Sequence, residues 1–212
     1  MQRYTNGHLF PIYGERNSLM EEIARKLGHL SDEDFANLDL FNERIRKLTQ
    51  RADTRNCQLY VDAEQTFIQA AIESFGQQMT HQYNRDEKVI IMNGYQCYLK
   101  RMANTIPMEV KASQAYGYNL GIKLIRGAYM NEERELAAKE GLESPVWDTI
   151  EDTHNCYNEN LRLLLTQMKH EDMVFVASHN KDTCDIAMDL ADERGFKETE
   201  RVRFGQLRGF SD

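Results

Sequence analysis

Five short apolar runs punctuate the chain: Leu59 to Asp62 (LYVD), Val89 to Met92 (VIIM), Ile122 to Ile125 (IKLI), Met173 to Ala177 (MVFVA) and Val202 to Leu207 (VRFGQL). β-Branched and aromatic residues dominate them, the composition of buried strands. Between them the apolar positions step by three and four. Phe67, Ile68, Ala71, Ile72, Phe75 and Met79 share one helical face, and so do Ile150, His154, Tyr157, Leu161, Leu164 and Met168. Pro107 suits a first helical position, with the pattern running on toward Tyr116. Ile186 and Leu190 mark a shorter helix ended by Gly195. Upstream, Ser31 with Asp34 reads as a capping box opening a helix with Phe35, Leu38, Phe41, Ile45 and Leu48.

Strand and helix therefore alternate, which predicts an α/β fold with a parallel sheet. A doubly wound sheet and a (β/α)8 barrel of the TIM type both satisfy the alternation. No G-x-G-x-x-G follows the first strand, so the dinucleotide fingerprint is missing. Every strand pattern ends in polar or small residues, which favours the barrel, because its active site collects those ends. Eight strands close a barrel, and five are legible. The expectation is an incomplete barrel over residues 55–212, preceded by a helical region over 1–54.

Composition narrows the partners. The net charge is -8, and basic residues are dispersed, so nucleic acid is not expected. The basic stretch Glu43 to Arg51 reads as a solvated helix face. No run approaches the length of a membrane span. Cys57, Cys97, Cys156 and Cys184 form no C-x-x-C pair and no zinc spacing, and read as free thiols. The opening MQRYTNGHLF has no signal-peptide core and is a poor mitochondrial presequence.

The strand ends gather Asp62, Glu64, Asn93, Gln96, Lys123, Arg126, Tyr129, His179, Asn180 and Gln206. This is a mixed polar set rather than a metal cage, since His179 is the one histidine at a strand end; no metal is expected. His8, His29, His81, His154 and His170 read as surface residues. Lys123 is the awkward residue, a charge inside an apolar strand. It fits a Schiff-base lysine, a fixed charge beside an anionic cofactor, or a structural partner of Asp62 or Glu64. In Arg126 to Tyr129, RGAY, the glycine permits close approach of a ligand, and the tyrosine offers a flat face with a hydroxyl.

Five segments in order resemble the proline dehydrogenase family in its eukaryotic, mitochondrial form. They are VDAEQTF (Val61 to Phe67), NGYQCYLK (Asn93 to Lys100), GIKLIRGAYMNEER (Gly121 to Arg134), VASHNKDT (Val176 to Thr183) and RFGQLRGF (Arg203 to Phe210). The resemblance implies FAD at the carboxyl mouth of the barrel, L-proline as substrate, Δ1-pyrroline-5-carboxylate as product and a membrane quinone as electron acceptor. It implies cofactor contacts from Asp62, Ala63, Asn93, Lys123, Ile125, Gly127, Ala128, His179, Asn180, Gln206 and Leu207. Leu124 and Tyr129 would pack on the proline ring, with Lys123, Asp62 and Tyr129 forming the catalytic group. Met130 replaces a bulkier residue of some relatives. Gly94 stands where Thr is usual, and Arg208 and Phe210 stand in LRGF where LLGM is usual. The family's arginine pair, in a motif like Y-x-x-R-R-A-x-E-N, does not occur in the 212 residues. The chain alone is therefore expected to oxidise proline weakly or not at all. A hydroxyproline dehydrogenase, a non-catalytic remnant and a lysine-dependent aldolase are the alternatives.

Overall fold

The structure, a computed structural model, describes residues 31–196 and 200–209. Helix α1 (Asp32–Arg55) leads into β1 (Leu59–Val61) and α2 (Thr66–Tyr83). Then come β2 (Ile91–Gln96), α3 (Met102–Tyr116), β3 (Gly121–Ile125), α4 (Met130–Glu140) and α5 (Ile150–Gln167). The chain continues through β4 (Met173–Ala177), α6 (Lys181–Glu193) and β5 (Val202–Gly205). The sheet order is β1-β2-β3-β4-β5 and every neighbouring pair is parallel. This is an incomplete (β/α)8 barrel of the TIM type, with five strands among the described residues.

Register sorts the side chains between two layers. Gly94 pairs with Lys123, Lys123 with Phe175, and Phe175 with Arg203, so these face the barrel interior. Tyr60 stacks edge-on against Phe175 at 5.5 Å between ring centroids. Arg203 Nη1 donates to Gln58 Oε1 at 3.0 Å, joining β5 to the residue that leads into β1. The alternate residues face the helices. Tyr95, Ile122, Leu124, Val174 and Val176 form the main core with Met102, Ile106, Tyr157, Leu161 and Leu164. Nearly continuous apolar strands are the signature of a sheet covered on both faces.

The capping box is present: Asp34 N donates to Ser31 Oγ, and Ser31 N donates to Asp34 Oδ2. Three expectations need correction. Pro107 lies inside α3, not at its start. The carbonyl it leaves without a helical donor belongs to Ala103, which is exposed and can meet water. The stripe of α1 is largely exposed at Leu38, Phe41 and Leu48, as are Phe67 and Ile68 in the first turn of α2. Helix α1 is buried instead through Phe35, Thr49 and Ala52. His81 is buried, not a surface residue; His8 and His29 lie outside the described residues.

Between α2 and α3, Glu109 is buried. Gln77 Nε2 donates to its Oε1 at 2.5 Å and the Tyr118 hydroxyl to its Oε2 at 3.3 Å. Burial pushes this carboxyl up to about 7, against the pull of the two hydrogen bonds.

Candidate active site at the carboxyl ends of the strands

Strand β1 ends at Val61, and the next residues open the mouth of the sheet. Lys123 Nζ lies 2.5 Å from Asp62 Oδ1; the lysine side chain is 21% exposed and the aspartate 66%. The lysine thus sits at the wet edge of an otherwise dry strand, with a carboxylate beside it. Two residues further along the loop, Glu64 Oε2 accepts the Tyr129 hydroxyl at 2.5 Å. That bond, ahead of burial, raises the phenol above its ordinary range.

Gln96 ties the two loops together. Its Nε2 donates to the Glu64 carbonyl at 2.8 Å, and its Oε1 accepts the Ala128 amide at 3.3 Å. Glu133 of α4 reaches back to the other loop and accepts both Thr66 N and Thr66 Oγ1 at 2.6 Å, capping α2. Gln69 adds a further hold through its Oε1, which accepts Glu64 N at 2.6 Å. Gly127 adopts φ +150, and a Cβ there would lie 2.1 Å from the Tyr98 ring. No other residue fits that backbone and that contact. A Cβ on Gly94 would meet Ala63 N at 2.9 Å, so the inner wall is backbone at this point.

The predicted residues do not all converge. Asp62, Ala63, Lys123, Ile125, Gly127, Ala128 and Tyr129 surround the ends of β1 and β3. Asn180 caps α6, its Oδ1 accepting Thr183 N at 3.0 Å, with His179 beside it at the end of β4. Gln206 and Leu207 follow β5 and are exposed; Met130 is exposed too.

Two assignments are corrected. Asn93 pairs with Ile122 on the helix-facing side, and its Nδ2 donates to Thr80 Oγ1 at 2.9 Å. Leu124 is wholly buried in the main core under α5, where Tyr157 donates to its carbonyl. A one-residue step along a strand reverses the face, so neighbours of Lys123 cannot share its direction. Arg126, collected with the strand ends, also turns away from the mouth. Its guanidinium bonds His154, Ser178 and Thr183, and His154 is therefore not a surface residue.

Gln69 and Glu133 were absent from the sequence expectations, Gln96 carried no assigned role, and Glu64 entered only as an alternative ion partner of Lys123, a place that Asp62 takes. Gln96 and Glu64 each sit two residues beyond an inward position, a period-two signal that could have marked them. Gln69 and Glu133 act from helices, where nothing in the pattern sets them apart.

Comparison with known proteins decides the family. The profile described as proline dehydrogenase matches residues 8–212. The chain belongs to the proline dehydrogenase family. It is 36% identical over 199 residues to proline dehydrogenase 1, mitochondrial, of Homo sapiens, covering 92% of this chain and 33% of the relative. It is 34% identical over 207 residues to proline dehydrogenase 2, mitochondrial, of Arabidopsis thaliana, covering 96% and 43%. It is 31% identical over 199 residues to a hydroxyproline dehydrogenase of Xenopus laevis, covering 92% and 42%. The chain thus spans well under half the length of these relatives. Among solved structures, proline utilization A from Bdellovibrio bacteriovorus superposes with a TM-score of 0.71 at 21% identity, over 81% of this chain and 18% of that one. The Corynebacterium freiburgense form gives 0.67 at 24%, over 83% and 19%. These likenesses agree on the barrel fold. No described helix is long and apolar enough to cross a membrane.

Proposed function

We propose that this chain carries the flavin-side half of a site that oxidises L-proline to Δ1-pyrroline-5-carboxylate, in a mitochondrial enzyme that passes electrons to a membrane quinone. The observation that carries the reading is the position of Lys123, inward at the end of β3 and paired with Asp62. A reduced flavin gathers negative charge on its ring, and a fixed cation there favours that state. The mouth fits such a group. It offers the Lys123 cation, close backbone packing at Gly94 and Gly127, where a Cβ would strike Ala63 and Tyr98, and polar atoms from two loops.

FAD, when bound, supplies the acceptor for a hydride from the carbon next to the proline nitrogen. Lys123 holds its charge toward the flavin, and Asp62 limits the excess. Ala63, Ile125, Gly127 and Ala128 would border the cofactor, and His179, Asn180, Gln206 and Leu207 would contact it from the neighbouring strand ends. Tyr129 forms a wall for the proline ring, its hydroxyl fixed by Glu64. The substrate amine must be unprotonated, so turnover rises with pH near neutrality. The carboxylate grip of the family is not among the motifs of this sequence, and a carboxylate without its arginine partner is poorly held. The 212 residues by themselves therefore turn proline over weakly or not at all.

Titration of the purified chain with FAD, followed by proline-dependent dye reduction, tests this. Saturable yellow binding that Lys123→Met weakens at least tenfold is expected, with dye reduction near the blank. Absence of FAD binding defeats the reading, and brisk turnover defeats the claim of weak activity. The Xenopus likeness makes hydroxyproline the second substrate to assay.

A further inference from the structure

Arg126 is half-buried beneath the mouth, and among the described residues it has no carboxylate partner. Its guanidinium is spent on neutral groups. Nη1 donates to Ser178 Oγ at 2.7 Å, Nη2 to Thr183 Oγ1 at 2.9 Å and Nε to His154 Nδ1 at 2.9 Å, with the carbon 4.5 Å above the Tyr157 ring. Burial depresses its pKa from the usual arginine range, so this position is costly to fill with a cation, and packing alone does not require one.

The three bonds converge on one turn. Ser178 Oγ accepts both Arg126 and the Asn180 amide, the latter at 3.1 Å. Thr183 Oγ1 accepts Arg126 and donates to Asn158 Oδ1 at 2.8 Å, while its amide donates to Asn180 Oδ1. One planar fork thus grips both ends of the segment that carries His179 and Asn180. Its third arm anchors it to α5.

We propose that Arg126 is a positioning residue whose guanidinium, braced by a neutral His154, fixes the Ser178–Thr183 turn and with it His179 and Asn180. Its value for the cofactor rests on the flavin reading above; the hold on the turn does not. The brace works in one protonation state, because His154 Nδ1 accepts the Nε proton. Burial and then the Arg126 charge lower the His154 pKa, opposed by Glu151 on its own helix. The groups facing Arg126 are Tyr157, Cys97 and Cys184, none of them charged near neutrality. Acidification protonates Nδ1, turns an acceptor into a donor and frees one arm of the fork.

Amide hydrogen exchange on the chain tests the hold directly. Arg126→Lys keeps the charge and loses the fork; Ser178→Ala removes one acceptor and spares the core. Each is expected to speed exchange at residues 179–183 at least tenfold, leaving Ile122 and Val174 unchanged. Unaltered exchange in a folded Ser178→Ala chain overturns the proposal even where Arg126→Lys does not fold. As pH falls from 7 to well below the ordinary histidine range, exchange of the turn corrected for its intrinsic rate is expected to quicken in the parent chain and not in His154→Gln. A flat profile in the parent overturns the brace. FAD titration of the same variants is read separately. If the parent binds no FAD, the functional reading fails while the exchange result stands. If it binds FAD and the variants bind equally well, the turn has no part in holding the cofactor and the positioning role is lost.

Discussion

At the amino-terminal end of the sheet, buried polar side chains bond to backbone. Asn84 Oδ1 accepts Ile90 N and Ile91 N, both at 2.8 Å, and its Nδ2 donates to Ile91 O and Asn119 O. Asn119 Nδ2 donates to Asp86 O and Lys88 O, and Asp172 accepts Leu120 N and Lys169 N. At the carboxyl end Gln96, Gln69 and Glu133 also bond to backbone, but a second kind of contact joins them. Asp62 meets Lys123 and Glu64 meets Tyr129, side chain to side chain and in reach of water. The lower groups exist because loops entering a buried sheet leave amides and carbonyls that must be satisfied. The upper pairs answer no such demand. A charge kept where no backbone needs it is what the proposed site requires, and barrels of this type put stability and chemistry at opposite ends.

The contrast breaks most readily at Asn84. Removing four buried hydrogen bonds in Asn84→Ala should cost about 4 kcal/mol, read as the urea midpoint at constant slope, with FAD binding unchanged in the folded fraction. A loss below about 1 kcal/mol would mean the lower end is not the stabilising one.

Glu109 gives the next effect, from the helix layer, as a test of burial without function. Its folded pKa is raised from 4.5 to about 7, so the folded chain holds a proton the unfolded chain has released. That stability is full below about pH 4.5 and is lost as pH rises through 7, by roughly 3 kcal/mol. Glu109→Gln should flatten this part of the stability profile, as seen by denaturation at stepped pH. A mutant that retains the slope would assign it to another group.

Lys123→Met should change stability by less than about 1 kcal/mol, because its partner Asp62 is mostly exposed. A larger loss would make this pair structural like those below it. The smallest effect is at Tyr129. Its phenol should titrate above the ordinary range in ultraviolet difference spectra and fall back in Glu64→Gln, with little change in unfolding. A phenol that does not respond would separate Glu64 from the wall it is placed to hold.

Sequence by itself determined the alternation of strands and helices, the parallel sheet, the capping box at Ser31 and the motif segments at the strand ends. Those are local or periodic properties, and a period of two or 3.6 survives in one dimension. It also marked Lys123 as anomalous, since a charge in an apolar run is visible without a fold. Tertiary structure alone decided which way each marked residue points and what it meets. Leu124 and Arg126 lie in the same motif as Lys123, and Asn93 in the motif of the neighbouring strand, yet all three face the helices; for the strand residues this is because alternate residues of a strand belong to opposite layers. The links from Gln96 to Glu64 and Ala128, from Glu133 to Thr66, and from Arg126 to the turn after β4 join residues 32 or more positions apart. No local pattern encodes such partners; packing of the sheet and its helices brings them within hydrogen-bond reach.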